Sequence, residues 1–267
     1  MSPDLAGWTE EQFVVFALML TRVSVLVLSA PVLGNVRVPN QVKAGLSMVL
    51  TLLLYLSYRG GHAQMAVPSN LLEMTAAVLG EVFVGLAIGY TAFLLFSGIQ
   101  MAGQIIDIQV GFGLVNVIDP NGSNQVSILG EFYFIVAMMF FLAVDGHHAL
   151  LKAAGDSFTM LPPGTVGWFQ HAGQAGPLLA GFVTKLFIIA FQVAAPSVAV
   201  LFLTSLSMGL LSRTLPQMNV FIVGLPLNVV VGLLVTILSL KLLGTVIGSV
   251  SSQVGSSAFR LLSALGS

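Results

Sequence analysis

Six long apolar runs, nearly free of charged residues, constrain the fold of this chain more than any other feature. An apolar run of about 20 residues is long enough to cross a bilayer as a helix. The sequence therefore predicts an all-α integral membrane protein, a bundle of about six helices. With bounds set to within a few residues, the predicted helices cover residues 13–33, 41–58, 71–98 or beyond, 126–144, 177–211 and 220–243.

The composition agrees with a membrane protein and excludes several other classes. Only 7% of the residues are charged and 57% are hydrophobic, whereas about 25% are charged in a soluble domain. So few charges cannot cover a soluble surface, so most of this surface must face lipid or other apolar proteins. The absence of cysteine excludes disulfides and thiolate metal sites. A net charge of -1 gives no reason to expect nucleic-acid binding.

The predicted helices differ in length and packing. The second and fourth are short, and the fifth, at 177–211, is too long for a straight crossing and contains Pro196, which predicts a kink. A bundle of kinked, tilted or partly non-spanning helices fits better than six straight rods. In the third helix, Gly85 and Gly89 form a small-xxx-small pattern, which predicts the close approach of a neighbouring helix.

A glycine-rich, apolar segment without lysine or arginine lies between the third and fourth helices. It is most distinctive over residues 102–120, within a connection that spans 102–125. Lipid tolerates irregular backbone only where protein or a water-filled cavity covers it. Such a segment is a poor solvated loop. It is predicted to fold back into a protein interior, as a pore lining or a plug.

Three charged residues, Arg22, Glu81 and Lys185, are predicted to lie at membrane depth within the helices. A charge at membrane depth is costly and usually faces the bundle interior or a cavity. One interpretation is a path for protons or substrate. The other is a buried ion pair or a polar contact with a partner subunit, which we favour because mid-span acidic residues do not form an aligned relay.

The segment Asp145-Gly146-His147-His148 contains three residues of types that bind metal ions. Adjacent histidines on a helix are expected to point about 100° apart, and a two-histidine zinc site prefers an i, i+4 spacing. The remaining histidines, His62 and His171, lie in other predicted loops. No metal site and no cofactor are therefore expected. No catalytic motif is present either, so the chain is expected not to be an enzyme.

The connection at 212–221, between the fifth and sixth helices, is polar. Pro216 breaks the helix, and Gln217 and Asn219 supply amide groups without helical partners. This pattern predicts a helical hairpin. It is compatible with a simple turn, or with a loop that meets equivalent loops of neighbouring subunits around a pore.

Several short motifs, taken together and in order, resemble the FliR/SctT family of membrane proteins in flagellar and virulence type III export. The resemblance covers essentially the whole chain. The matching stretches are Val36-Arg37-Val38-Pro39, Val42-Lys43-Ala44-Gly45-Leu46, Gly80-Glu81 with Gly85 and Gly89, Ala102-Gly103, Ile106-Asp107 with Gln109, Asp119-Pro120, Gly146-His147-His148, and Pro216-Gln217-Met218-Asn219-Val220-Phe221 with Gly224 and Pro226.

This resemblance implies a subunit of the flagellar protein export gate. It implies assembly of one copy of the chain with several copies of FliP and FliQ homologues, together with an FlhB-like subunit. The assembly would pass unfolded flagellar proteins through the bacterial inner membrane at the basal body. It also implies a FliP-like part at 1–176, including the loop 102–125, fused to a FliQ-like hairpin and tail at 177–267.

The same resemblance implies two sets of site residues. Pro216, Gln217, Met218 and Asn219 would shape the cytoplasmic-side entrance of the pore. The glycine-rich loop would be a plug, since apolar constrictions close pores by excluding water. The predicted plug residues are Gly111, Phe112, Gly113, Leu114, Val115, Asn116, Val117 and Ile118.

Two other classes of function stay open from the residues alone. A polytopic secondary transporter of a small solute would show internal inverted repeats and a binding site at mid-membrane, and no clear repeat is present. A purely structural scaffold would not depend on the glycine-rich loop for any control of ion leak.

Overall fold

The computed structural model describes residues 9–35, 37–59, 68, 70–113, 127–164, 172–215, 217 and 219–266. These residues form seven α-helices and contain no β-strand, which confirms the predicted all-α fold. The helices are α1 (Glu10–Ser29), α2 (Asn40–Arg59), α3 (Leu71–Val110), α4 (Ile128–Ala143), α5 (Gly146–Met160), α6 (Ala172–Thr214) and α7 (Val220–Gly266).

Five of the described helices are long and apolar enough to cross a membrane, namely α1, α2, α3 and the larger parts of α6 and α7. The helices α4 and α5 are separated by a sharp bend and make a sixth crossing only if they are taken together. Three helices exceed what a bilayer requires, because α3, α6 and α7 have 40, 43 and 47 residues. The chain is a multi-pass membrane protein, as its apolar runs predict.

Two segments predicted as loop or tail are helical. The third helix, predicted to reach residue 98 or beyond, continues to Val110, so residues 102–110 belong to a helix and not to the predicted loop. The reason is a buried stripe at four-residue spacing, in which Ala102, Ile106 and Val110 are all fully buried. The last helix likewise continues past residue 243 to Gly266.

The helix α5 is absent from the prediction, which treated residues after Asp145 as a loop. Its buried residues, Leu150, Ala153, Ala154, Ser157 and Phe158, follow the i, i+3, i+4 spacing of an amphipathic helix. Two glycines and a lysine dilute the hydrophobicity of this segment, so a search for long apolar runs misses it.

Contacts divide the chain into two compact units. Unit 1 comprises Met1–Phe93, Asp145–Phe182 and Ser251–Ser267, and unit 2 comprises Leu94–Val144 and Val183–Val250. The helix α3 therefore belongs to unit 1 in its first part and to unit 2 in its last part. The predicted division at residues 176 and 177 concerns likeness to FliP and FliQ, and it stays a prediction.

The core of unit 1 is formed where α1 packs on α2, α3 and α5. One apolar cluster joins Val15, Met19, Val23 and Val27 of α1 to Tyr55 of α2 and Phe158 of α5. A second cluster joins Leu26 of α1 to residues of α3 and α5, namely Val84, Ala87, Ile88, Ala153 and Ala154, together with Leu161. The helix α1 is thus the element around which unit 1 is built.

In α2 the usual arrangement of polar and apolar faces is reversed. Its buried face carries Lys43, Ser47 and Thr51 at four-residue spacing, with the hydroxyls donating to carbonyls one turn back at 2.8 and 2.7 Å. Its exposed side chains are mostly apolar. They include Val42, Met48, Val49, Leu52, Leu53 and Leu56. A helix of this kind is stable only where its outer face meets lipid or apolar protein.

Glycines let α3 approach α1 closely in unit 1, as the small-xxx-small pattern predicts. A Cβ atom added at Gly85 would lie 2.6 Å from the backbone oxygen of Arg22 and 3.1 Å from Cβ of Val25. A Cβ atom added at Gly89 would overlap the side chain of Ser29. The two backbones therefore pack at a distance that only glycine permits.

The core of unit 2 contains the last part of α3 together with α4, α6 and α7. The ring of Phe96 packs edge-on against Phe134 and Phe141, with ring centroids 5.8 and 5.2 Å apart. The hydroxyls of Tyr133 in α4 and Ser239 in α7 are 3.1 Å apart and share a hydrogen bond. This buried pair links α4 to α7 within unit 2 and satisfies two hydroxyls that an apolar exterior could not.

We predict that Gly85→Ala destabilises the protein by about 1–3 kcal/mol, because the added methyl overpacks a helix crossing. The measurement is thermal unfolding of the purified chain in detergent, followed by circular dichroism. Gly45→Ala is the matched control, since Gly45 is helical and exposed and a Cβ there meets nothing within 4 Å. The control should gain about 0.5–1 kcal/mol from reduced backbone entropy. Equal unfolding temperatures for the two variants would contradict the close crossing.

Candidate functional site

The predicted plug follows directly from the C-terminus of α3. Gly111 and Phe112 both donate their backbone N–H to the backbone oxygen of Asp107, each at 3.1 Å, and Gly111 has a φ of 100°. A residue in this left-handed region ends a helix, and glycine occupies it without a Cβ penalty. Gly111, Phe112 and Gly113 are partly exposed. The remaining predicted plug residues, 114–118, lie outside the described residues.

The carboxylate of Asp107 connects the two helices that flank the plug segment. It accepts hydrogen bonds from Oγ of Ser127 and from the backbone N–H of Leu129, at 3.1 and 3.2 Å for its two oxygens. Ser127 itself caps α4, since its Oγ accepts from the N–H of Gly130 at 2.8 Å. Asp107 is only 5% exposed. Its negative charge therefore lies at the N-terminus of α4, where the helix dipole stabilises it.

Close backbone packing reinforces this connection. A Cβ atom added at Gly103 would lie 2.5 Å from the backbone oxygen of Leu129 and 2.6 Å from Cα of Gly130. About two turns further along α3, the side chain of Val110 occupies the space that a Cβ atom at Gly232 of α7 would need. The end of α3 is thus held by α4 and by α7, both within unit 2.

We call the group formed by Gly103, Asp107, Ser127, Leu129 and Gly130 the plug clamp. No role was predicted for Asp107, although it stands in one of the motifs that carry the family resemblance. The signal that could have found this clamp is a serine directly before an apolar helix, which predicts an N-cap. No sequence rule pairs that cap with a carboxylate 20 residues earlier.

The structure joins two of the three predicted buried charges in an ion pair. Nε of Arg22 lies 2.6 Å from Oε2 of Glu81, and the two residues are 2% and 3% exposed. Both belong to unit 1. Lys185 lies in unit 2, is partly exposed and has interactions of its own. The three charges therefore do not form one chain within either unit.

Both terminal nitrogens of Arg22 also have partners. Nη1 donates to the backbone oxygen and to Oγ of Ser157, each at 3.0 Å, and Nη2 donates to the backbone oxygen of Leu161 at 2.9 Å. The guanidinium carbon lies 4.4 Å from the ring centroid of Phe158. The second carboxylate oxygen of Glu81 accepts from the N–H of Gly164 at 3.1 Å. Each guanidinium nitrogen of Arg22 and each carboxylate oxygen of Glu81 thus has a partner. Such a network favours a structural role over a proton path.

The predicted entrance loop is described only in part. Gln217 and Asn219 are exposed, whereas Pro216 and Met218 lie outside the described residues. The backbone oxygen of Asn219 accepts from the N–H groups of Ile222 and Val223 at 3.1 and 3.4 Å, which starts α7. The connection between α6 and α7 is therefore short, as the predicted hairpin requires.

The prediction that His147 and His148 point apart is wrong. Their ring centroids lie 4.4 Å apart with a tilt of 32°, and Nδ1 of His148 lies 3.3 Å from a carboxylate oxygen of Asp145. Both histidines lie in the first turn of α5, directly after Asp145, whose backbone is left-handed.

These features define a class of protein: an all-helical, multi-pass membrane protein with many exposed apolar side chains, whose buried charged groups have partners inside the protein. The family model described as bacterial export proteins, family 1, matches residues 13–254. The chain belongs to this family.

Curated relatives agree with this assignment. The flagellar biosynthetic protein FliR of Bacillus subtilis (strain 168) is 33% identical over 260 residues, which cover 95% of this chain and 96% of the relative. FliR of Pectobacterium carotovorum is 29% identical over 97% of this chain and 94% of its own length. FliR of Escherichia coli (strain K12) is 29% identical over 80% of this chain and 79% of its own length. The resemblance to FliR is confirmed.

We predict that Arg22→Leu and Glu81→Leu each destabilise the protein by about 3–5 kcal/mol, because each leaves a buried charge without its partner. The double variant should lose less than the sum of the two, since it contains neither charge. Unfolding of all three variants by denaturant or heat in detergent gives the coupling between the residues.

Asp156→Ala serves as the control, because Asp156 is an exposed acidic residue of α5 and should have an effect within about 0.5 kcal/mol. Strictly additive losses for Arg22 and Glu81 would show that the ion pair is not what holds these helices.

Proposed function

We propose that this chain is a subunit of the flagellar type III protein export gate. With FliP and FliQ homologues it would form a pore for unfolded flagellar proteins, and its glycine-rich loop would act as the plug of that pore. Family membership supports the role in export. The observation that supports the role as a plug is the plug clamp. In it Asp107 connects the two helices that flank the segment 111–126.

The clamp suggests how the plug would work. A closing segment must be held at its base and yet be able to move at its tip. Asp107 and Gly103 fix the base, since α3 and α4 meet there through hydrogen bonds and direct backbone contact. Beyond the base the sequence contains Gly111 and Gly113 and then mainly apolar residues, which exclude water and ions from a narrow pore.

The proposed partners and location follow from the same role. One copy of this chain would assemble with several copies of FliP and FliQ homologues, next to an FlhB-like subunit, in the bacterial inner membrane at the basal body. The exposed apolar faces of α2, α6 and α7 supply surface for such neighbours and for lipid. The chain itself would catalyse no reaction, and the energy for export would come from other components.

A secondary transporter of small solutes remains the alternative, but the buried charges give it no support. Ion-coupled transport requires an ionisable group that can exchange its partner. In unit 1 both oxygens of Glu81 are engaged by Arg22 and Gly164. The fully paired network suits the stable frame of a gate better than a relay.

The assembly itself is tested by native mass spectrometry of the chain co-expressed with FliP and FliQ homologues. A discrete mixed complex that contains one copy of this chain is the expected result. A stable monomer or homodimer without these partners would overturn the proposal and favour the transporter.

We predict that deletion of residues 111–118 raises the ion conductance of the assembled complex in a planar bilayer, because the constriction is removed. An unchanged conductance would refute the plug and favour a purely structural role for this chain.

We also predict that Asp107→Ala raises the conductance less than the deletion does. Loss of the carboxylate leaves the N–H of Leu129 without its partner, at a cost of about 1–3 kcal/mol. A loss of 1–2 kcal/mol changes a two-state population by about 5- to 30-fold, so the open fraction should rise by a similar factor. Asp107→Asn keeps one acceptor oxygen and should restore part of the closure.

Asp156→Ala, which removes an exposed carboxylate, is the control for this series and should conduct like the unaltered complex. If Asp107→Ala assembles normally and conducts no more than this control, the clamp does not hold the plug.

A further inference from the structure

Three metal-ligating side chains converge where α5 begins. Asp145, His147 and His148 each offer one ligand atom, and these atoms all lie within 4.8 Å of one another. Nδ1 of His148 and Oδ1 of Asp145 are 3.3 Å apart. All three residues belong to unit 1, and neither the buried ion pair nor the plug clamp uses them.

The backbone of Asp145 brings this cluster together. It has φ 56° and ψ 27°, the left-handed conformation, and among the described residues it is the one non-glycine residue with a positive φ. An aspartate at an N-cap position normally caps the helix with its side chain. Here the side chain makes no capping hydrogen bond, and its carboxylate faces His148 instead.

Neither histidine has another structural task in the described part of the chain. Nδ1 of His147 is buried and has no hydrogen-bond partner. The side chain of His148 is 70% exposed and that of Asp145 is 72% exposed, and their contact with each other is the one ion pair they make. An exposed pair of this kind contributes little to stability. Asp145 and His148 are thus accessible from solvent and free to rearrange around an ion, and the buried Nδ1 of His147 lies beside them without a partner.

We propose that Asp145, His147 and His148 bind a divalent transition-metal ion of the Zn²⁺ type. Two imidazole nitrogens and one carboxylate oxygen form the ligand set that zinc accepts, with water in the fourth position. Mg²⁺ and Ca²⁺ prefer oxygen ligands alone and fit less well.

The distances support a tetrahedral ion. Bond lengths of about 2.0–2.1 Å place neighbouring ligands of a tetrahedral zinc about 3.3 Å apart. The separation of the His148 nitrogen and the Asp145 oxygen already has this value. The wider spread of up to 4.8 Å within the whole group requires modest rotation of its side chains, which the exposure of Asp145 and His148 permits.

Metal binding would fix the first turn of α5 and the chain just before it. The same helix carries Ser157 near its other end, where the carbonyl and hydroxyl of that residue accept from Arg22. A bound ion would therefore anchor α5 at its start, as the arginine network anchors it at its end. This role does not depend on the proposed export function, and its failure would leave that function untouched.

The test is a titration of the full-length chain, purified in detergent without a polyhistidine tag, with Co²⁺ and then Zn²⁺. Four-coordinate Co²⁺ has a strong visible absorption that six-coordinate Co²⁺ lacks, so the spectrum reports the geometry. We expect one ion per chain, displacement of Co²⁺ by Zn²⁺, and no displacement by excess Mg²⁺. Metal content after dialysis, measured by mass spectrometry, gives the stoichiometry independently.

The variants His147→Gln and His148→Gln should each bind at least about tenfold more weakly, since even the loss of an outer-shell partner costs 10- to 100-fold. The double variant His62→Gln, His171→Gln is the matched control, because it removes the other two histidines of the chain and should bind normally. Circular dichroism verifies that every variant keeps its helix content.

Three results would overturn the proposal. The first is that the unaltered chain retains no Zn²⁺ at micromolar free metal. The second is that the His147 and His148 variants bind as well as the unaltered chain. The third is that only the His62 and His171 control loses binding.

Discussion

The guanidinium of Arg22 is the interaction on which unit 1 depends. It lies on α1, at the centre of a group that also contains α3, α5 and the turn that follows α5. Its donors reach a carboxylate, a hydroxyl and two backbone carbonyls. Burying a charged side chain costs free energy, because the charge loses its contacts with water. That cost is offset only where the buried charge has partners inside the protein. One side chain thereby fixes three helices in a single arrangement.

The same constraint explains the polarity of the other helices. Lipid and apolar neighbours offer no hydrogen bonds to the protein, so hydroxyl and ammonium groups find their partners within it. In α2 this places Lys43 against the carbonyl of Gly34 at 3.0 Å, and it places the serine and threonine hydroxyls on carbonyls of their own helix. In unit 2 the carboxylate of Asp107 meets the free N–H groups at the start of α4. Internal polar contacts therefore position the helices, and apolar side chains form much of the outer surface.

The sequence predicted the class of the fold well, because long apolar runs are a strong signal. It also located the close helix crossing at Gly85 and Gly89 and identified Arg22 and Glu81 as buried charges. It did not predict α5, whose amphipathic stripe is short and interrupted by small residues. It also assigned the last turns of α3 to a loop, because the buried positions of these turns are separated by polar residues such as Gln104 and Gln109.

The partners of individual side chains could not be predicted. Arg22 and Glu81 are 59 positions apart, and two further acceptors of Arg22 are backbone oxygens, which have no sequence signature. The pairing of Asp107 with Ser127 depends on how α3 crosses α4. The contact of Asp145 with His148 involves one left-handed residue, and aspartate is only an occasional choice for that conformation. In each case tertiary geometry supplies the information.

The lengths of α6 and α7 have a consequence for how the protein is made. The candidate membrane span within α6 covers 35 residues, about 52 Å at 1.5 Å per residue, against a hydrocarbon core of about 30 Å. Even a tilt of about 40° leaves roughly 13 Å of that helix outside the hydrocarbon. A newly synthesised chain would thus expose an apolar part of this helix to water until another protein or lipid covers it. Synthesis of the chain must therefore be timed together with its assembly. An unassembled copy is a natural substrate for chaperones and membrane proteases.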